Sequence, residues 1–162
     1  MATPLDANDM SNLLNHIIQT GGTTAHQTAF TNQRMQDHYI NPENGIACVI
    51  AEVDQKIVGF QSIQWPNPNG ADPDQLAQDW AIIATFVKQG MTGAGIGTAL
   101  FSATKIIAQN AGAVAIDATI RADNVGGLRF YSKLGFVDYK TTETVPLTDG
   151  TPVNRISKRY DL

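Results

Sequence analysis

Residues 92–100 read TGAGIGTAL, a run in which Gly93, Gly95 and Gly97 alternate with small or aliphatic residues before Leu100 opens a helix-like apolar pattern. The first amides of a helix have no acceptor within it, and the aligned peptide dipoles make that end partly positive. Glycine at such a point removes side chains that would hold a phosphate away, and it tolerates positive φ. The stretch therefore reads as an anion cradle at the mouth of a helix. A tight turn for close packing would use the same glycines.

Two familiar phosphate loops fail against the letters. Gly90 and Gly95 have the spacing of a Walker A loop, but Ile96 and Gly97 stand where Lys and then Ser or Thr would grip a triphosphate. A dinucleotide fingerprint starting at Gly93 needs glycine at 98, where Thr98 stands, and it opens a repeating parallel sheet.

Here an antiparallel hairpin comes first. CVIAEV and KIVGFQSIQW are rich in β-branched and aromatic residues and are separated by Asp54-Gln55, which predicts two paired strands. Before them, residues 8–19 place Met10, Leu13, Leu14, Ile17 and Ile18 at helical spacing, with Asp6 or Asp9 to cap and Gly21-Gly22 to stop the helix. Residues 31–39 predict a second, shorter helix. Residues 66–75, with three prolines and a glycine, predict a loop.

The run WAIIATFV, residues 80–87, predicts a buried strand leading into the glycines. Residues 97–110 then predict a helix with Leu100, Ala103, Ile106 and Ile107 on one face, closed by Gly112. A strand over 114–120, a helix over 124–134 ended by Gly135, and a further strand from Phe136 follow. In the tail, Asp149-Gly150 predicts a two-residue hairpin turn, with Pro146 and Pro152 keeping its flanks at an edge or outside the ladder.

The chain has 162 residues, 43% hydrophobic and 16% charged, enough for one sizeable core and too polar for a membrane span. A net charge of -4 argues against a nonspecific nucleic-acid binder, which needs a cationic face. The N-terminus lacks a basic region followed by an apolar stretch, and the single Cys48, within an apolar run, reads as an inert core thiol. Both features suggest a cytoplasmic protein. His16, His26 and His38 match no zinc-ligand spacing, so no metal is expected.

FVKQGMTGAGIGTAL, followed about 25 residues later by NVGGLRFYSKLGF, resembles the GNAT superfamily of N-acetyltransferases. The family's pyrophosphate loop reads Arg/Gln-x-x-Gly-x-Gly/Ala, and residues 92–97 match it except for Thr92 at the opening position. Its later segment reads Asn-x-x-Ala-x-x-x-Tyr-x-x-Leu-Gly-Phe; Asn124, Tyr131, Leu134, Gly135 and Phe136 match, with Gly127 in place of alanine. The segment GGTTAHQTAF, which follows the first helix, is reminiscent of the phosphinothricin-type branch, which acetylates small amines.

The resemblance implies one N-acetyltransferase domain over residues 1–162. It would have an α/β (α+β) fold with a mixed, mostly antiparallel twisted sheet, helices on both faces, and a splayed strand pair holding acetyl-CoA. Phe86 and Val87 would bond the pantetheine arm through their backbone. Thr92, Gly93, Ala94, Gly95, Ile96, Gly97 and Thr98 would cradle the pyrophosphate, and Asn124 would help seat the cofactor. Lys88, Lys105, Arg129 and Lys133 flank these elements and could meet its phosphates.

By the same carry-over Tyr131 would be the general acid for the departing thiolate, and Thr24 and His26 would lie in the acceptor pocket. An alkylammonium must lose a proton before it can attack, since its pKa is near 10.4. Asp117, Glu52, Asp79 or a water chain could accept that proton. The implied reaction is acetylation of a small-molecule primary amine by direct attack. A peptide or protein amine, a noncatalytic acetyl-CoA sensor, and a purely structural domain are the alternatives. A homodimer is compatible with the family.

Overall fold

The computed structural model describes residues 1–68 and 76–162; of the expected 66–75 loop, residues 69–75 lie outside the described residues. A 3-10 turn, Pro4–Asp6, leads into α1, Ala7–Thr20. Met10, Leu13, Leu14 and Ile17 of α1 are buried at i, i+3, i+4 and i+7, the stripe the sequence predicts. Asp6 caps the turn rather than the helix, taking the Thr3 amide and hydroxyl on one carboxylate oxygen. A short α2, Asn32–Met35, continues into a wider π turn, Gln36–Ile40.

The remaining elements are β1 (Gly45–Val53), β2 (Lys56–Gln64), β3 (Trp80–Val87), α3 (Ile96–Asn110), β4 (Ala115–Arg121), α4 (Val125–Leu134), β5 (Val137–Pro146) and β6 (Pro152–Asp161). The strands form one sheet in the order β1-β2-β3-β4-β6-β5. Among the described residues only β3 and β4 pair in parallel. This is the mixed, mostly antiparallel sheet expected. Asp54 and Gln55 turn the first hairpin with φ of 49° and 61°, the left-handed pair a two-residue turn requires.

Helices cover both faces. α1, α2 and the π turn bury Leu14, Met35, Tyr39 and Phe60 against one side of β1, β2 and β3. On the other side Ile63, Ile83, Ile116 and Ile120 form a core with Phe101 of α3 and Tyr131 of α4. Two glycines set how closely this layer packs. A Cβ on Gly59 of β2 would lie 3.1 Å from Ile96 Cγ2, and one on Gly97 would lie 2.7 Å from the Phe130 ring. The close-packing reading of the glycine run therefore holds at Gly97.

Two sequence expectations are corrected. α3 buries Leu100, Phe101, Thr104 and Ala108, whereas Ala103 and Ile106 face outward, Ile106 with 57% of its surface exposed. The helix is apolar around most of its circumference, so periodicity does not choose its inner face. The choice follows from Phe101, whose ring meets Phe136 and Tyr160, and from the Gly97–Phe130 contact. The tail hairpin closes through residues 147–151 rather than two, with Leu147 and Thr151 bonded across the loop. Pro146 and Pro152 face each other as the last ladder pair, a strand end where a missing N–H costs little.

Among the described residues no helix is long and apolar enough to cross a membrane. Cys48 is buried, and burial pushes its thiol up to about 12, so it stays an unreactive thiol.

Candidate functional site

β3 and β4 pair through three residues each, the last pair being Ile82 with Asp117, and then separate. Beyond that point residues 83–87 of β3 remain bonded to β2 but, among the described residues, have no strand partner on the β4 side. Backbone groups along such an edge can bond an extended, amide-bearing chain as a strand would. Phe86 and Val87 lie on it. The Phe86 ring packs on Tyr39 and Phe60, at centroid distances of 5.4 and 4.9 Å, so its side chain belongs to the core beneath α1 and only its backbone serves the edge.

The glycine run lies where β3 ends and α3 begins. Gly93 and Gly95 have φ of 89° and 81°, and a Cβ at either would meet nothing within 4 Å. The first helical bond runs from the Ala99 amide to the Gly95 carbonyl, 2.9 Å, leaving the amides of Ile96, Gly97 and Thr98 without an acceptor in the helix. The first turn of α3 holds no acidic residue to occupy or repel. Thr92, Gly93, Ala94, Gly95 and Thr98 are exposed, while Ile96 and Gly97 are half-buried. Open amides, open space and an uncompensated dipole fit a diphosphate. Of the flanking cations, Lys105 donates instead to the Tyr160 hydroxyl, 3.0 Å.

Tyr131 reaches from α4 toward the gap. Its ring is buried against Phe130 and Phe136, and its hydroxyl is 2.8 Å from Thr85 Oγ1 on β3. Gln61 Nε2 donates to the same Thr85 oxygen, 2.7 Å. Since Gln61 fills an acceptor site of Thr85, the threonine proton is free for the Tyr131 oxygen, which would leave the phenolic proton for a ligand. Burial, followed by the charge of Asp117, raises the Tyr131 pKa well above its ordinary value, so the group holds its proton at neutral pH.

Asn124 is the N-cap of α4. Its Oδ1 accepts from the Gly127 amide, 2.9 Å, and its Nδ2 donates to the Thr23 carbonyl, 2.9 Å. A Cβ on residue 127 would lie 2.6 Å from that Nδ2, so alanine here would require the Asn124 carboxamide to shift. Arg121 donates to the Thr24 carbonyl, 3.1 Å, and Gln27 accepts from the Asp149 amide, 2.8 Å. The segment after α1 is thereby tied to the β4 side of the gap.

In this segment His26 Nε2 lies 2.6 Å from the Tyr39 hydroxyl, and its amide donates to Thr24 Oγ1, 3.1 Å. Burial, then the charges of His38 and Arg34, lower the His26 pKa to about 4. The unfolded chain takes up this proton near pH 6.5, so the unfolded state binds more protons between the two values and stability falls as pH drops through that window. With the ring partly exposed, we expect about 1–2 kcal/mol lost between pH 7 and 4.5. Urea midpoints should show it, and His26→Gln should flatten the slope; His38, also lowered by burial, retains the remainder.

The carboxylates separate clearly. Glu52 and Asp79 are exposed, whereas Asp117, at the point of divergence, is 3% exposed. Its oxygens accept from the Tyr139 hydroxyl at 2.7 Å and the Thr119 hydroxyl at 3.2 Å. Thr85, Gln61, Tyr139 and Arg121 escape a reading of the sequence alone, because each joins the site through a partner far away in the chain. No local pattern marks them. Among the described residues no group of three or more His, Cys, Asp and Glu side chains is arranged to hold a metal ion.

Residues 11–136 match the model of the acetyltransferase (GNAT) family. No protein of curated function matches the sequence. Similar solved structures include an N-acetyltransferase from Staphylococcus aureus Mu50, 17% identical with a TM-score of 0.81, covering 99% of this chain and 94% of that one. A provisionally assigned acetyltransferase from Salmonella typhimurium, solved with its cofactor acetyl-CoA, is 16% identical with a TM-score of 0.77, at 99% and 91% coverage. A provisionally assigned phosphinothricin N-acetyltransferase is 18% identical with a TM-score of 0.80, at 100% and 96% coverage. At these identities the likeness speaks for the fold.

Proposed function

The chain belongs to the GNAT family of acetyl-CoA-dependent N-acetyltransferases, and on that premise we propose that it acetylates a primary amine of a small molecule by direct attack within a ternary complex. The observation that carries the reading is the alignment of three features along one gap. Open amides at the mouth of α3 stand at one end, the unpaired edge of β3 runs along it, and the Tyr131 hydroxyl is held over it by Thr85.

The bound cofactor would supply a thioester acetyl group. Residues 92–98 would hold its diphosphate by main-chain amides and the α3 dipole. Thr92 offers no guanidinium or carboxamide, so backbone amides would provide most of this contact. The backbone of Phe86 and Val87 would bond the pantetheine arm and fix its position in the gap. Amides of that edge would also stabilise negative charge developing on the acetyl oxygen, an interaction that strengthens as reaction proceeds. Tyr131, protonated and oriented by Thr85, would give its proton to the departing sulfur.

Asn124 would act mainly as an organiser, since it caps α4 and ties down Thr23. Thr24 and His26 would line the acceptor side, with the His26 ring neutral and anchored on Tyr39. The small-molecule assignment draws on the likeness of this segment to the phosphinothricin-type branch; Arg121 and Asn124 hold it beside β4 and α4, where it would form the acceptor side of the gap. Action in the cytoplasm on a free amine, without a metal, completes the proposal.

The test is acetyl-CoA binding followed by thiol release with a panel of primary amines. Acetyl-CoA should raise the melting temperature, as any ligand of the folded state must, and amines should then release thiol. Binding without amine-dependent thiol would instead support a sensor, and absence of binding would overturn the site as a whole.

A further inference from the structure

Accepting that reading of the gap, one buried group still has no part in it. Among the described residues Asp117 is the buried carboxylate, and it sits opposite Ile82 in the last residue pair before β3 and β4 separate. Strand alternation places Ile82 and Asp117 on the sheet face opposite to Thr85 and Tyr131. The gap is therefore flanked by a phenol on one face and a carboxylate on the other.

The helices of the Asp117 face pack on β1, β2 and β3, and Thr119 and Tyr139 on the β4-β6-β5 half are exposed, Tyr139 by 41%. Both hydroxyls bond the carboxylate, and Thr119 also meets Ser157 at 2.7 Å. A buried acid is thus connected to the open face by two surface hydroxyls. The charged and titratable groups about it are Tyr139 and Lys140 of β5, Arg159 of β6 and Tyr131 of α4. Arg159 gives its guanidinium to Asp161, 2.8 Å, rather than to Asp117. Arg121 and Arg155 lie further along the same face, and Arg121 is paired with Asp123.

We propose that Asp117, reached through the Tyr139 hydroxyl, accepts the proton that the acceptor ammonium must lose before attack. The nitrogen lone pair then forms the N–C bond, the C–S bond breaks with its electron pair on sulfur, and the second nitrogen proton balances the one Tyr131 donates to the thiolate. Burial raises the Asp117 pKa above the ordinary carboxylate range, which brings it nearer to the pH at which it works.

The test compares wild type, Asp117→Asn and Tyr139→Phe on primary amines graded from strongly basic ethylamine to weakly basic trifluoroethylamine. Asp117→Asn should lower kcat/KM for ethylamine about 100-fold and Tyr139→Phe about 10-fold, while acetyl-CoA affinity is unchanged. The defect should shrink toward trifluoroethylamine, which arrives neutral. The acid limb of the wild-type pH profile, where Asp117 takes up its proton, should vanish in Asp117→Asn. Without any substrate, the Asp117 carboxyl carbon resonance should titrate above the usual range and shift in Tyr139→Phe.

A defect equal across the panel with an unaltered acid limb would reduce Asp117 to a packing role and overturn the proposal. So would full activity in both variants. A wild type that binds acetyl-CoA yet acetylates none of the amines overturns this proposal together with the enzyme reading, whereas an active wild type with an indifferent Asp117 overturns this proposal alone.

Discussion

Tyr131→Phe should lower kcat for amine-dependent thiol release about 100-fold or more while leaving the acetyl-CoA dissociation constant within about twofold. Phenylalanine preserves the ring that packs against Phe130 and Phe136 and removes only the hydroxyl facing Thr85. The lost hydrogen bond costs about 1 kcal/mol of stability, far below the unfolding threshold of a protein this size. Thr85 keeps its bond from Gln61, so the β3 edge should not move. A loss of rate without loss of affinity is what removal of a group acting only on the leaving sulfur would produce. Equal losses in both would mean that Tyr131 shapes the gap and donates nothing. Thr85→Val offers a graded control. It should slow turnover less, because it frees the phenol to rotate while retaining its proton.

The parts of this site that sequence makes legible are those encoded by neighbours in the chain. Gly93, Gly95 and the C-terminal Gly135 each answer a local backbone demand, and each stands where a reading of the letters puts it, whereas the capping role of Asn124 emerges only from the structure. The first hairpin is equally local, since Asp54 and Gln55 alone adopt the turn. Asp117 could not be oriented that way. Residues 115–118 are buried without interruption, so β4 shows no alternation from which a face could be read. Its orientation becomes known only when β6 returns beside β4 and β5 brings Tyr139 to the carboxylate. The inner face of α3 was hidden for a related reason, because Phe101 is committed by Phe136 and Tyr160, both far along the chain.

The glycines themselves divide into two kinds, and this division yields the sharpest test of the cofactor loop. Gly97 is required by Phe130, so replacing it would confuse folding with binding. Gly95 has no neighbour at its Cβ position and owes its identity to φ of 81° and to whatever approaches from outside. Gly95→Val should cost about 1–3 kcal/mol of stability from backbone strain. Its effect on binding should be larger. The valine would fill the space before the amides of Ile96, Gly97 and Thr98, or twist them out of line, and acetyl-CoA affinity should fall about 100-fold or more as those charge-assisted bonds are lost. Gly90→Val is the matched control. Gly90 has the same φ of 81° and the same empty surroundings, but it precedes the helix mouth, so it should share the strain while binding acetyl-CoA nearly as the wild type does. Denaturation midpoints and acetyl-CoA titrations on the two variants separate the effects. If Gly95→Val binds acetyl-CoA as tightly as Gly90→Val, the diphosphate does not rest on this helix, and the glycine run is a turn and nothing more.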